Sequence, residues 1–127
     1  MDILRSYKYR LDEYVVAATA TLTADQCSGG LINNYGQTAD AVVTLPAAAD
    51  GLNFTVILGT TVAKYFRIDP ASGDSIYLGG ATTGDGKYVG IASAVVGAAI
   101  SFVAFKTGAS TYDWFASIAA GSWVAES

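Results

Sequence analysis

The stretch from residue 45 to residue 80 constrains the fold most, because apolar runs of strand length alternate there with turn residues. The runs cover residues 54–58, 65–68 and 75–78, and glycine, proline and aspartate separate them. Similar short runs occur at 15–23, 31–35, 41–45 and 111–118. The Gly79-Gly80 pair predicts a turn, and Asp85-Gly86 predicts a hairpin turn. Regularly spaced β-rich runs predict an all-β chain, and we expect an antiparallel β-sandwich of jelly-roll type with about nine strands.

The first residues differ from the rest, since they are charged and rich in tyrosine, and no glycine occurs before Gly29. We therefore predict a short N-terminal arm at residues 1–14 and a single β-sandwich domain at residues 15–127, a size that can bury a core of its own. Aromatic and basic side chains anchor protein interfaces. The arm's predicted partner-binding residues are Arg5, Tyr7, Lys8, Tyr9, Arg10 and Tyr14.

The composition points to assembly with other protein. Apolar residues make up 52% of the chain and charged residues only 14%, against about 25% charged in an ordinary soluble domain. We therefore expect a homo-oligomer whose interface uses apolar positions between Val89 and Phe105, because that region has more apolar side chains than one sheet face can bury. The net charge of −4 argues against a nucleic-acid partner, because such proteins carry basic patches. The alternating tyrosines and basic residues at 7–10 could contact RNA or DNA, but contact with a protein surface is favoured.

The uncharged run at residues 88–105 approaches the length of a membrane-spanning helix. It contains Gly90 and Gly97 amid many β-branched residues, so two buried strands joined by a hairpin or a crossover fit better. We expect no membrane segment, and no secretion signal at Met1.

The chain has few groups for catalysis. It contains no histidine, so Cys27 lacks the usual activating base, and we expect no catalytic residue, no cofactor and no metal. Asp69 and Asp74 could form a glycosidase-like carboxylate pair, and with Asp85 they could surround calcium, but turn roles are favoured. The aromatic residues Tyr112, Trp114 and Trp123 could stack on a sugar, but a core or interface role is favoured.

The chain resembles small β-sandwich virion proteins of tailed bacteriophages, such as head-decoration proteins, head fibres and tail-fibre tips. The resemblance covers roughly residues 40–124. It rests on turn residues and apolar spacing at 44–46, Gly51, 54–57, 66–70, 73–76, Gly79, Trp114 and 121–123.

This resemblance implies a structural, usually trimeric component of the virion, without catalysis and with no active-site motif to carry over. We expect a capsid decoration protein located on the virion, whose partners are its own copies and the major capsid protein or another virion protein. One alternative is a tail-fibre or head-fibre tip that binds a host-surface glycan. A second, from another class, is a carboxylate glycosidase.

Overall fold

The computed structural model describes residues 11–126, which form strands and connecting loops without any helix. The twelve strands of this range are β1 (Glu13–Val15), β2 (Ala20–Thr21), β3 (Ser28–Asn33), β4 (Ala41–Thr44), β5 (Asn53–Ile57), β6 (Phe66–Asp69), β7 (Ile76–Leu78), β8 (Ala81–Thr82), β9 (Val89–Ile91), β10 (Ala99–Lys106), β11 (Tyr112–Ala120) and β12 (Val124–Ala125). None of the residues 11–126 belongs to a helix suited to crossing a membrane.

The strands form two sheets. The seven-stranded sheet has the order β1-β3-β5-β10-β11-β7-β8, and the five-stranded sheet has the order β12-β9-β6-β4-β2. The all-β prediction is confirmed, but a fully antiparallel sandwich is not, because five of the ten strand pairings are parallel and five are antiparallel. A jelly roll is built from antiparallel Greek keys, so this pairing pattern does not show one. The structure also has more strands than the nine predicted.

The first half of the domain explains the parallel pairs. From β1 to β6 the chain alternates between the sheets, so that β1, β3 and β5 are parallel neighbours in one sheet and β2, β4 and β6 in the other. Each pass through both sheets makes one turn of a coil, and we call residues 13–69 the parallel coil. A parallel pair needs a long crossover, and here each crossover contains a strand of the opposite sheet.

The second half of the domain is added to this coil by antiparallel pairings, and within it only β7 and β11 pair in the parallel sense. Strand β10 pairs with β5 and β9 pairs with β6, each in the antiparallel sense. The run at 88–105 is therefore a crossover, since β9 lies in the five-stranded sheet and β10 in the seven-stranded one. The predicted turn at Gly79 and Gly80 is confirmed: both have positive φ, and they connect the paired strands β7 and β8, as a two-residue hairpin requires.

Both sheets contribute to one buried cluster, which gives the molecule a sandwich-like core. Alternate residues of β3, β4, β5, β6 and β10 are buried, as expected when one face of a strand meets the core. Near the centre, the Phe54 ring stacks on Phe102 with ring centroids 4.9 Å apart, and it meets Trp114 edge to face at 5.6 Å. These aromatic contacts join β5, β10 and β11 beneath the sheet.

Candidate functional sites

Of the predicted partner-binding residues of the arm, Tyr14 lies among the residues that the structure describes. Arg5, Tyr7, Lys8, Tyr9 and Arg10 lie outside the described residues. Tyr14 lies in β1, which pairs with β3, and its side chain is half-buried against the core cluster. The first strand therefore begins at Glu13, two residues before the boundary expected from the sequence, and the role of the arm as a binding segment stays a prediction.

The seven-stranded sheet carries large apolar side chains on the face turned away from the core. Val103 is 47% exposed and Phe115 is 46% exposed, and the two are direct cross-strand neighbours. Phe115 is also opposite Tyr77, whose ring meets Phe105 edge to face at 5.4 Å. We call this set, together with the exposed Ile57 on β5, the outer apolar face.

The polar side chains at the centre of the outer apolar face are uncharged. Thr55 and Ser101 are cross-strand neighbours whose hydroxyl oxygens are 3.1 Å apart, and Ser117 is opposite Ser101. Opposite-charge or like-charge pairs on a sheet face select particular partners. The centre of this face has no charged pair, so a second protein surface can pack on it without bringing charges together.

Sequence reasoning placed an interface on residues 89–105, and only part of that run is available for one. Val89, Ile91, Ile100 and Phe102 are buried in the core, so most of its apolar side chains are already covered. Val103 belongs to the outer apolar face. Val95 and Val96 are exposed and line a groove of about 530 Å³ between the β9–β10 and β11–β12 connections.

A second, polar cleft of about 360 Å³ lies where the β6–β7 and β10–β11 loops meet. Its lining includes the hydroxyl groups of Ser75, Thr107 and Tyr112 and the carboxylates of Asp74 and Asp113. Burial is the main cause that raises the pKa of Asp74, and the nearby Asp113 and Asp85 raise it further, while a hydrogen bond from the Ala48 N–H opposes the shift.

The carboxylate oxygens of this polar cleft hold loops together. Asp74 Oδ2 accepts a hydrogen bond from the Ala48 N–H at 2.8 Å. Asp113 Oδ1 accepts from the Ser75 N–H at 2.8 Å, and its Oδ2 accepts from the Thr107 hydroxyl at 2.7 Å. Both oxygens of Asp113 are thereby engaged, and hydrogen bonds join the two loops at the start of β11.

The sequence-predicted acids have different neighbours. Asp69 lies at the end of β6, and its pKa is raised by burial and by the charge of Glu126. Asp74 interacts instead with Asp113 and Asp85. The structure thus associates Asp74 with an acid that sequence reasoning did not select. Within residues 11–126, histidine, cysteine, aspartate and glutamate form no group of three or more suited to a metal ion.

The cysteine and both tryptophans are core residues. Cys27 is fully buried, and burial raises the pKa of its thiol to about 12; only the thiolate is a good nucleophile, so the thiol is unreactive. Trp114 is fully buried and Trp123 nearly so, which confirms that neither is presented to a ligand. The Trp123 indole N–H donates to the Ala120 carbonyl at 2.9 Å.

Sequence reasoning missed a buried amide pair at one end of the parallel coil. Asn34 and Gln37 are buried, and Asn34 Nδ2 donates to Gln37 Oε1 at 2.8 Å. Asn34 Oδ1 accepts from the N–H groups of Gly59 and Thr60 at 2.8 and 3.0 Å. Gln37 Nε2 donates to the carbonyls of Ala39 and Tyr65. We call Asn34 and Gln37 the amide corner, and every one of its bonds is internal.

No family model, curated protein or solved structure was found to match this chain.

Proposed function

We propose that this chain is a non-enzymatic structural protein of a tailed-phage virion, a head-decoration protein that assembles as a trimer on the particle surface. Its domain is a mixed β-sandwich. The observation that carries the proposal is the outer apolar face, an exposed and centrally uncharged surface on a rigid sheet. The resemblance of residues 40–124 to small virion proteins is the reason for proposing the virion as the location.

The outer apolar face supports assembly because its exposed side chains are contiguous. Single exposed apolar residues are normal on a protein surface, but a continuous patch marks an interaction site. Val103, Phe115 and Tyr77 form one row across three strands. Copies of an acidic chain repel one another, and an uncharged face lets them meet where that repulsion is weakest.

The remaining partners of the proposal are those expected from the sequence. The arm at residues 1–14 attaches the trimer to the major capsid protein or another virion protein, with Arg5, Lys8 and Arg10 facing acidic groups there. The body of the chain carries the net negative charge, which argues against nucleic acid as the partner.

The test replaces the two exposed cross-strand neighbours with lysine, as Val103→Lys and Phe115→Lys. Light scattering coupled to gel filtration should show a trimer for the parent and a monomer for each variant, because a buried lysine loses its hydration. Val96→Lys is the matched control, since Val96 is 60% exposed but lies in a connection outside this face. A parent chain that stays monomeric at high micromolar concentration, or variants that remain trimeric, would contradict the proposal.

The polar cleft favours a second candidate, a fibre tip that binds a host-surface glycan. Sugars are recognised through hydroxyl groups, and this cleft is lined by the hydroxyl-bearing residues Ser75, Thr107 and Tyr112 beside two carboxylates. The Thr107 hydroxyl donates to Asp113 and can still accept a hydrogen bond from a sugar. Binding of a glycan that is lost in Thr107→Val, with the trimer retained, would favour this candidate. Release of a reducing sugar that is lost in Asp74→Asn would favour the glycosidase alternative.

A further inference from the structure

One cationic side chain on the five-stranded sheet is held in an unusual way. The Arg67 guanidinium carbon lies 3.7 Å from the centre of the Tyr65 ring and 4.4 Å from the centre of the Tyr88 ring. Arg67 lies on β6 between the buried Phe66 and Ile68, so its side chain is on the face turned away from the core. Two tyrosine rings therefore cover the guanidinium of an otherwise outward-facing residue.

A missing side chain on the neighbouring strand makes room for this arrangement. Gly90 of β9 is directly opposite Arg67. A Cβ atom at Gly90 would come within 2.8 Å of Arg67 Cγ and within 3.0 Å of the Phe66 carbonyl oxygen. The stem of Arg67 therefore lies close to the backbone of Gly90, and a side chain at position 90 would displace it.

Among the described residues, no group occupies the in-plane donors of this guanidinium. Within residues 11–126, no carboxylate lies at ion-pair distance from Arg67 and no acceptor takes its N–H groups. Of the nearby acids, Glu126 lies 3.9 Å from Lys87 and accepts a hydrogen bond from the Tyr88 N–H. The N–H groups of a guanidinium lie in its plane, so its contacts with the two tyrosine rings do not use up its hydrogen-bond donors.

Arg67 also borders a small cleft. This cleft of about 70 Å³ is lined by Arg67, Tyr88, Gly90, Ile91, Ala92 and Val124. A water in the liquid occupies about 30 Å³, so the cleft holds a group the size of a carboxylate but not a sugar ring. Guanidinium binds carboxylate in a bidentate manner with fixed geometry.

We infer that Tyr65, Arg67 and Tyr88 form a receptor for a single carboxylate side chain, an aspartate or glutamate, of a protein partner. Tyrosine and arginine are the residues that dominate binding energy in protein interfaces. The receptor lies on the opposite sheet from the outer apolar face, so both surfaces can be covered at once. The inference rests on the proposed assembly role only in taking the partner to be a protein.

The experiment follows the Arg67 Nε–H signal in the NMR spectrum of the ¹⁵N-labelled full chain. The probe is the tripeptide Ala-Glu-Ala with blocked ends, titrated at constant ionic strength. We expect a saturable shift of this signal, no shift with Ala-Gln-Ala, and at least tenfold weaker binding of the glutamate peptide to Arg67→Lys. That variant keeps the positive charge but loses the planar donor pair, and its peptide affinity is read from the backbone signals of Gly90 and Ala92.

Two further variants separate the receptor from general charge effects. Gly90→Ala keeps every charge but pushes the Arg67 stem away, so it should also weaken peptide binding. Lys106→Gln removes a positive charge at the far end of β10 and should leave binding unchanged. A backbone spectrum like that of the parent shows that each variant is folded.

Three results would overturn the inference: no saturable shift with the glutamate peptide, equal binding by Arg67→Lys, or tighter binding of glucuronate than of the peptide, which would assign the receptor to an acidic sugar. Oligomeric state is measured on the same samples. Peptide binding by a chain that never forms a trimer would contradict the proposed assembly and leave the receptor intact.

Discussion

At the scale of single residues, Asn34 has a structural role that the sequence pattern did not reveal. Asparagine beside Tyr35 and Gly36 is typical of an exposed turn. In the structure it is fully buried, and one side chain joins the β3–β4 connection to the β5–β6 connection. An asparagine that binds only its own turn and one that binds a distant loop look the same in sequence.

Replacing Asn34 with alanine should lower the free energy of unfolding by about 2 kcal/mol or more, because the N–H groups of Gly59 and Thr60 would lose their acceptor. An unsatisfied buried polar group costs about 1–3 kcal/mol. Urea denaturation measures the change. Asn53→Ala is the control, since the Asn53 side chain is exposed and donates to the carbonyl of Gly51, two residues earlier in the chain. An equal loss in both variants would contradict the role of the amide corner.

At the scale of strands and turns, the sequence predicted more about which segments are extended than about which segments pair. The alternation in β4, β5 and β6 identifies them as strands with one buried face. That alternation is the same in parallel and antiparallel sheets of this kind, so it could not show that β4 and β6 are parallel neighbours. Asp85 and Gly86 were read as a hairpin turn, but β8 and β9 lie in different sheets.

For the candidate sites, the sequence predicted which residues are buried but not which distant residues lie together. The buried roles of Cys27, Trp114 and Trp123 follow from residue type. Cysteine and tryptophan are mostly buried in folded proteins, and Cys27 has no histidine to activate it. The association of Asp74 with Asp113 could not be predicted, since it depends on two loops that β7 and β11 bring together as parallel neighbours. The same holds for Arg67 and Tyr88, which meet only because β6 pairs with β9.

The β3 strand depends on a glycine at its bulge. Its register against β5 shifts between Ser28 and Gly30, and a Cβ atom at Gly30 would collide with the carbonyl oxygen of Gln26 and lie 3.0 Å from Tyr14. We expect Gly30→Ala to destabilise the domain by about 1–3 kcal/mol, because the backbone carbonyl cannot rotate away as a flexible side chain could.

Thermal unfolding followed by circular dichroism measures the effect of Gly30→Ala. Gly108→Ala is the matched control, since the atom that its Cβ would meet most closely is the hydroxyl of Thr111, an exposed side chain that can rotate. Melting of Gly30→Ala at the parent temperature would show that the β2–β3 connection is looser than its geometry indicates.

At the scale of the whole molecule, the free energy of unfolding of this acidic chain depends on pH. In the folded state the pKa of Asp74 is raised by burial and by neighbouring acids, so the folded chain holds this proton more tightly than the unfolded chain. The stabilising effect of the bound proton is complete below the unfolded pKa and is lost as pH rises through the folded pKa. At neutral pH, the charged group therefore opposes folding.

Asp74→Asn should raise the melting temperature at pH 7 by about 1–3 °C, a modest effect because solvent screens the partly exposed group. The asparagine oxygen can still accept the Ala48 N–H, and the charge is gone. The gain should disappear at a pH low enough to protonate Asp74 in both states. Scanning calorimetry across this range makes the comparison, with the exposed Asp50→Asn as control; a lower melting temperature at pH 7 would mean that the carboxylate charge is needed in the polar cleft.

The parallel coil also bears on how a domain of this kind can change in length over evolution. In the five-stranded sheet its register pairs Ala20 with Val43 and Ala41 with Phe66, so the two turns there advance by nearly equal lengths of chain. In the seven-stranded sheet the first turn, from Tyr14 to Ile32, is shorter than the second. Duplication of one such turn would lengthen both sheets by one strand and keep the alternation of buried and exposed positions. Stability in such arrays is close to a sum over neighbouring turns, so an inserted turn would bring its own share of the core with it.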